Sequence, residues 1–387
     1  METTRSLPAG GVAADRLRTL AERPGPVLTV SLRFDPTQPD ADRRARVAWA
    51  SIREQAERLG VPALPLDALD DVVSDVGRTD DQLVAVADDA GPLFVGAADA
   101  PTGIRWQPTP WFAPVVATLQ DDIDHAVVTV DRTGADIAIH RAGRDTQRTV
   151  TTDAHPIHKA GGGGWAHRRM HARVEDSWRV NASEIAATVI ELVRGDGGAG
   201  VDLLLLGGDE REVGLVRQRL PHDVADTVTI IPATRAAGGD DEREVHEVDR
   251  ALADAAARRT VAALELVRQR SDDGGAVEGT DAVLAALRAS QVAFLLFGDE
   301  DGGDARDRGA RREVPYVPGR PDLVGAPDLA DEVGDAADLD GAAPVPCPVV
   351  DAAVAAAVLT GAEVRLVPRH VGEGRLHALL RWDAYRS

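Results

Sequence analysis

Apolar positions along the chain change their period several times, and the changes mark out elements. Ala14–Ala21 follows a helical period and is stopped by Pro24-Gly25-Pro26, after which Val27-Leu28-Thr29-Val30-Ser31-Leu32 predicts a strand. Ala41–Leu59 predicts a helix that turns Val47, Ile52, Ala56 and Leu59 inward and ends at Gly60-Val61-Pro62; Leu66–Val76 predicts a second. Gln82–Ala87 and Pro92–Ala97 read as strands joined by Asp88-Asp89-Ala90-Gly91, a hairpin. His125–Val130 and Ala135–His140 form another around Asp131-Arg132-Thr133-Gly134, and it leads directly to a glycine-rich loop. From Ala166 to Arg194 there is neither Gly nor Pro, so one long helix is expected, with Asn181-Ala182-Ser183 a candidate kink. Ala166, Met170, Val174 and Trp178 recur every four residues in it and read as its core stripe.

Val201–Leu206 is a continuous apolar run, the pattern of a strand buried on both faces. Gly207-Gly208 turns it into a helix, Glu210–Leu220, and Thr227–Ile231 returns as a strand, completing a βαβ unit. Glu242–Arg270 is helical. Beyond the linker glycines 274, 275 and 279 come a helix (Thr280–Ala289), a strand (Val292–Phe297), an acidic loop (Gly298–Arg312) and an irregular Pro-, Gly- and Asp-rich stretch (Pro318–Pro348). Val349–Thr360 then predicts a helix, and Glu363–Val367 and Leu376–Trp382 two strands. The expected fold class is α/β, in three α/β domains: residues 1–119, 120–270 and 271–387. The middle one holds a mixed sheet with a long helix following the Gly-rich loop; the last is a small α/β sandwich.

Composition sharpens this. With 44 % hydrophobic and 28 % charged residues the 387-residue chain is of the soluble globular class, its cores built from Ala, Val and Leu because aromatics are only 3 %. A net charge of −21 excludes a protein that coats DNA or RNA by unspecific attraction, so any RNA contact must be local. Lys159–Val180 supplies such a place: Lys159, Arg168, Arg169, Arg173 and Arg179 stand against Glu175 and Asp176. Lys159 is the only lysine among 43 basic residues, which points to a position that uses a compact ammonium, against the alternative that one lysine survives by chance. The bland alternative for the charge run is a solvated helix face. Cys347, the single cysteine, rules out an internal disulfide or thiolate cluster and fits a reducing cytoplasm. Met1–Gly11 lacks an apolar signal core and no segment has the roughly 20 apolar residues of a membrane span, so cytoplasmic localisation is expected.

Most chemistries fail on spacing. His155, His158, His167 and His171 include an i, i+4 pair, but Arg168, Arg169 and Met170 stand where H-E-x-x-H needs glutamate, and two arginines repel a dication; no metal is expected. There is no G-x-S-x-G elbow, and the proline-flanked Cys347 is a poor nucleophile. Lys159 precedes its glycines, unlike a P-loop lysine, and Gly207-Gly208-Asp209 lacks G-x-G-x-x-G spacing, so no cofactor is expected. Acidic pairs such as Asp121-Asp122 and Asp240-Asp241 are too common here to discriminate. RNA remains. Gly161, Gly162, Gly163 and Gly164 are costly to fix in one conformation, yet their backbone N–H groups approach phosphates closely, and a helix N-terminus adds positive charge. Arg168, Arg169 and Arg173 offer forks to phosphate oxygens, with His167 and His171 alongside. Trp165 offers a stacking face worth roughly 1–3 kcal/mol on an unpaired base, against the alternative of packing on its own helix.

The order of hairpin, Gly-rich loop, long basic helix, Leu-rich strand and Gly-Gly turn resembles the bacterial branch of the archaeo-eukaryotic class-1 release-factor and Pelota superfamily, which includes peptidyl-tRNA hydrolases. Gly163-Gly164-Trp165 falls at the family's G-G-Q tip and Arg169-Met170 at its Arg-Phe. Gly279–Phe297 and Leu376–Trp382 resemble the C-terminal domain, so the resemblance covers residues 120–387 and is weaker before them; it is nearest to actinobacterial Balon-like ribosome hibernation factors. The resemblance implies a three-domain factor that enters the ribosomal A site and sends its tip toward the peptidyl-transferase centre. Its implied partners are ribosomal RNA and peptidyl-tRNA, with elongation factor Tu by analogy with hibernation factors. Trp165 lacks the carboxamide with which the family's glutamine places water, and the first domain has no N-I-K-S-like motif. Stop-codon decoding is therefore not expected. A hibernation or stalled-ribosome factor stands first, with peptidyl-tRNA hydrolysis as the alternative; no catalytic residue is assigned.

Overall fold

The computed structural model describes residues 12–34, 41–76, 82–98, 100, 102–131, 133–141, 144–151, 165–195, 200–233, 241–298, 312–326, 343–367 and 376–382. In chain order the first segment runs α1 (Val12–Ala21), β1 (Val27–Arg33), α2 (Ala41–Arg58), α3 (Ala63–Val76), β2 (Gln82–Asp88), β3 (Gly91–Gly96), β4 (Gly103–Gln107) and α4 (Phe112–Asp121). The middle comprises β5 (His125–Asp131), β6 (Gly134–Arg141), β7 (Arg144–Thr151), α5 (Trp165–Arg194), β8 (Leu203–Gly208), α6 (Glu210–Arg217), α7 (His222–Ala225), β9 (Val228–Ile230) and α8 (Asp241–Ser271). The last segment holds β10 (Ala276–Glu278), α9 (Thr280–Arg288), β11 (Val292–Gly298), β12 (Glu313–Tyr316), a 3₁₀ turn (Pro321–Leu323), β13 (Val345–Pro348), α10 (Val349–Leu359), β14 (Glu363–Val367) and β15 (His377–Leu380).

By packing, the chain divides into two units, residues 1–120 with 260–387 and residues 121–259, where the sequence reading draws boundaries after 119 and 270. The first unit has two four-stranded sheets, β3-β2-β1-β4 and β10-β15-β11-β14, and a β12–β13 pair. What joins its distant segments is α10, whose sequence VVDAAVAAAVL is apolar all round and buried from Val349 to Val358. A helix with no polar stripe belongs inside a core. Leu17, Leu20, Phe94, Phe112 and Val116 share one hydrophobic cluster with α10 and with Leu284, Leu287 and Phe297.

Asp351, 1 % exposed, stands in the first turn of this helix. Its carboxylate accepts hydrogen bonds from Gln107 Nε2 at 2.8 Å, the Phe112 backbone N–H at 2.9 Å and Arg105 Nη1 at 3.3 Å. The Arg105 guanidinium also lies 4.0 Å from the centroid of the Trp111 ring. A buried carboxylate needs this many donors to offset lost hydration. Cys347 is buried nearby, with Thr109 Oγ1 3.5 Å from its Sγ, and burial is the main force pushing its thiol up to about 12. It stays protonated at neutral pH, as an inert core thiol.

In the second unit the sheet order is β7-β6-β5-β8-β9, with β5, β6 and β7 antiparallel and β5, β8 and β9 parallel. This is a mixed sheet with a βαβ unit, as the periodicity predicts. One face is covered by α5 and α6, the other by Ala251 and Ala255 of α8 packed on Leu203, Leu205 and Ile231.

Several elements differ from expectation. In α2 the buried positions are Ala45, Trp49 and Ala56, with Ile52 half-buried, whereas Val47 and Leu59 are about 60 % exposed. The 45-49-52-56 spacing follows the helical period better than the residues chosen on hydrophobicity alone. Trp49 Nε1 on that face donates to Asp70 Oδ1 at 2.6 Å, and Arg53 pairs with Asp70 and Asp67, tying α2 to α3. Strands β4, β7, β10 and β12 and helices α4 and α7 have no counterpart among the elements that periodicity predicts. Pro114 sits in the first turn of α4, where its missing N–H is harmless. Part of the stretch expected to be irregular, Val345–Pro348, is a strand paired with β12.

The Gly207-Gly208 turn has a packing reason. Gly208 has φ +125°, and a Cβ there would lie 1.9 Å from the Val130 carbonyl oxygen. Gly208→Ala combines left-handed strain with overlap against a backbone atom, so about 3 kcal/mol of destabilisation is expected in urea unfolding. A loss below about 1 kcal/mol would show that the strand end adjusts freely.

Candidate functional site

The β6–β7 ladder keeps register without a slip from Arg141↔Arg144 to Gly134↔Thr151. The end of β7 therefore lies beside the β5–β6 turn, where Asp131 Oδ1 accepts from the backbone N–H of Thr133 at 2.7 Å and of Gly134 at 3.1 Å, an Asx turn. The chain leaves the sheet at that end. It returns through α5, whose Ala182, Ile185, Ala186, Val189 and Leu192 pack on Ala126, Val128, Val130, Ala135 and Ile137. At the C-terminal end of α5 the Val201 N–H donates to Leu192 O at 2.9 Å, and β8 then starts opposite His125, at the far end of the sheet.

A 30-residue helix is about 45 Å long, roughly twice the length of the strands beneath it. Only its C-terminal half is needed to cover the sheet, so the N-terminal half runs on past the edge at which β7 ends. Beyond the packed half, Val180 is 58 % exposed and forms a shallow groove with Ser183, Glu184, Ala187 and Arg219. Arg219 is held there by Ser183 Oγ at 2.9 Å and Leu215 O at 2.7 Å.

Of the residues singled out from sequence, Lys159, Gly161, Gly162, Gly163 and Gly164 lie outside the described residues, as do His155 and His158. Trp165, His167, Arg168, Arg169, His171 and Arg173 all fall within the first nine residues of α5. Their side chains are outside the described set, as are those of the stripe Ala166, Met170, Val174 and Trp178. By position Trp165, Arg169 and Arg173 are four residues apart, and so are His167 and His171, so each set shares a side of the helix axis. The free N–H groups and positive dipole end of α5 belong to the same turns.

One cluster was missed. His140, at the end of β6, contacts Asp145 Oδ1 through Nδ1 at 2.7 Å and Asp122 Oδ1 through Nε2 at 2.6 Å. The His125 ring stacks on it with centroids 5.1 Å apart and an interplanar angle of 23°. In the sequence Asp122 belongs to an acidic pair that nothing distinguishes from the others. Only the β5–β6 and β6–β7 registers, which place His140 opposite both His125 and Asp145, could have found the group. Among the described residues no group of three His, Cys, Asp or Glu side chains is arranged to hold a metal ion, and no helix is long and apolar enough to cross a membrane.

Residues 124–273, spanning the hairpins, the Gly-rich loop, α5, the βαβ unit and α8, match the family model "Bacterial archaeo-eukaryotic release factor family 2". Over these residues the chain is release-factor-like. A search of curated proteins gave no match. Among solved structures, the chain is similar to Archaeoglobus fulgidus Pelota, at 11 % identity and TM-score 0.36, covering 98 % of this chain and 95 % of that one. An archaeal Pelota, from a model of ribosome-bound Pelota and ABCE1, is 14 % identical with TM-score 0.40, covering 97 % and 96 %. The archaeal translation termination factor aRF1 is 16 % identical with TM-score 0.25, covering 96 % and 97 %.

Proposed function

We propose that this release-factor-like chain is a ribosome-associated translation factor that occupies the A site and reaches toward the peptidyl-transferase centre, in hibernation or stalled-ribosome protection. The observation that carries the reading is the position of the basic residues. In a chain of net charge −21 they gather where a helix about twice as long as its sheet begins, immediately after four glycines. Such a tip brings arginine forks and helix N–H groups to phosphates while the acidic remainder limits contact elsewhere. The family match brackets this construction. Trp165, in place of a glutamine carboxamide, supports binding by stacking over placement of a hydrolytic water. Elongation factor Tu is the candidate delivery partner.

The test is co-sedimentation with 70S ribosomes in low-salt gradients, with and without elongation factor Tu. Binding that weakens as salt rises is expected; absence of binding at low salt removes the reading. In parallel, stalled ribosomes carrying labelled peptidyl-tRNA should retain their peptide when the protein is added. Peptide release that disappears on Trp165→Ala or Lys159→Ala would replace the protective reading with peptidyl-tRNA hydrolysis.

A further inference from the structure

The His140 cluster contains a contradiction that only a proton resolves. Both ring nitrogens lie within 2.7 Å of a carboxylate oxygen, and a carboxylate in its ionised form only accepts. Neutral imidazole has one N–H and so satisfies one aspartate while turning a lone pair on the other. The imidazolium satisfies both. The stacked neighbour is held in place: His125 Nδ1, 2.8 Å from Ile123 O, carries a hydrogen toward that carbonyl and keeps its ring against His140.

The three bonded residues come from three places: Asp122 from the segment after α4, His140 from β6 and Asp145 from β7. We propose that they form a proton-operated latch at the turn end of the β6–β7 hairpin, which ties β7 to the rest of the sheet when His140 is charged and frees it when His140 is neutral. Asp145 is the member that lets go, because it is 85 % exposed whereas Asp122 is 26 % exposed. Water can replace the histidine at Asp145 at little cost. β7 is a polar edge strand whose residues from 144 to 149 are all exposed, so little apolar burial holds its first half in place.

The charged groups around the ring do not supply a substitute. His125 faces it from β5, and Asp122 and Asp145 flank it. Arg141 and Arg144 are paired across the adjoining turn. Glu191 and Arg194 of α5 lie toward the opposite face, near Arg148 and paired with Asp223 respectively, and Arg259 of α8 pairs with Asp202. Burial disfavours the imidazolium, but the hydrogen bonds it donates to Asp145 and Asp122 outweigh this and raise the His140 pKa above its ordinary value. The sign follows: with the folded value above the unfolded one, the latch stabilises fully below the unfolded pKa and is lost as pH rises through the folded pKa. This inference is independent of the ribosomal reading.

The experiment combines NMR titration of His140 with amide exchange of residues 144–149, corrected for intrinsic exchange rates. His140 should titrate above an unperturbed histidine. Between the open-state and latched pKa values, opening of the first half of β7 should rise about tenfold per pH unit. Asp145→Asn, at an exposed position that leaves folding intact, should lower the His140 midpoint and abolish the pH dependence. His140→Gln should show the open level of exchange at every pH. A His140 midpoint at or below the ordinary value, or exchange at 144–149 that ignores pH in the unmodified protein, overturns the latch.

Discussion

Asp351→Ala is expected to lower the stability of the first unit by about 3–5 kcal/mol, the cost of breaking a buried ion pair from one side. The substitution leaves Arg105, 8 % exposed, without its carboxylate, and removes the acceptor for Gln107 Nε2 and for the first N–H of α4. Neither can turn to water, because Asp351 is enclosed by α10 on one side and by β4 and α4 on the other. Asp351→Asn is the informative partner. It keeps an acceptor for the N–H of Phe112 but drops the charge facing Arg105, so an intermediate loss is expected. Urea unfolding followed by segment-resolved amide exchange is the measurement. A loss under about 1 kcal/mol, or one spread equally into residues 121–259, would show that the network does not hold the unit together.

The joint change Arg168→Ala, Arg169→Ala, Arg173→Ala should weaken ribosome binding by at least about a hundredfold at physiological salt. Hydrogen bonds to charged groups contribute about 1.5–3 kcal/mol each, and three are removed. The more diagnostic readout is the salt dependence, since each lost phosphate contact should flatten the slope of log K against log salt by about 0.7–0.9. A change of roughly two is expected. Alanine favours helix, so α5 should survive the substitutions and circular dichroism should be unchanged. Arg320, already paired with Asp322 at 2.7 Å, is the control, and Arg320→Ala should leave binding as it is. Equal losses in both variants would mean that binding follows net charge rather than this part of the helix.

The elements that periodicity names well are those with one buried stripe or an unbroken apolar run: β1, the β2–β3 hairpin, α5, β8 and α10. Elements it passes over lack that signal. β7 is RDTQRTVT, an edge strand whose Val150 alone is partly buried in the core, so nothing apolar alternates along it. β12 is four residues long and contains a proline, tolerable because it pairs on one side only. For the candidate site, the place of Arg168, Arg169 and Arg173 at the start of a long helix was legible because no Gly or Pro interrupts the run. His140 was not legible, because its partners are 18 residues before and 5 after it and only strand register brings them together. Asp351 was hidden for a related reason. A single carboxylate in an alanine and valine helix reads as a solvent-facing position until three donors from residues 105–112 are found against it.

The central place of α10 also sets an order of assembly during synthesis. Residues 121–259 form a contiguous unit and can complete their core as soon as α8 has emerged. Residues 1–120 cannot, because Leu17, Phe94 and Phe112 wait for Val349–Val358, more than 200 residues later. Contacts so far apart in sequence are slow to form. The nascent N-terminal segment must hold an open apolar face through most of translation, and the central unit, although it begins later, is expected to fold first.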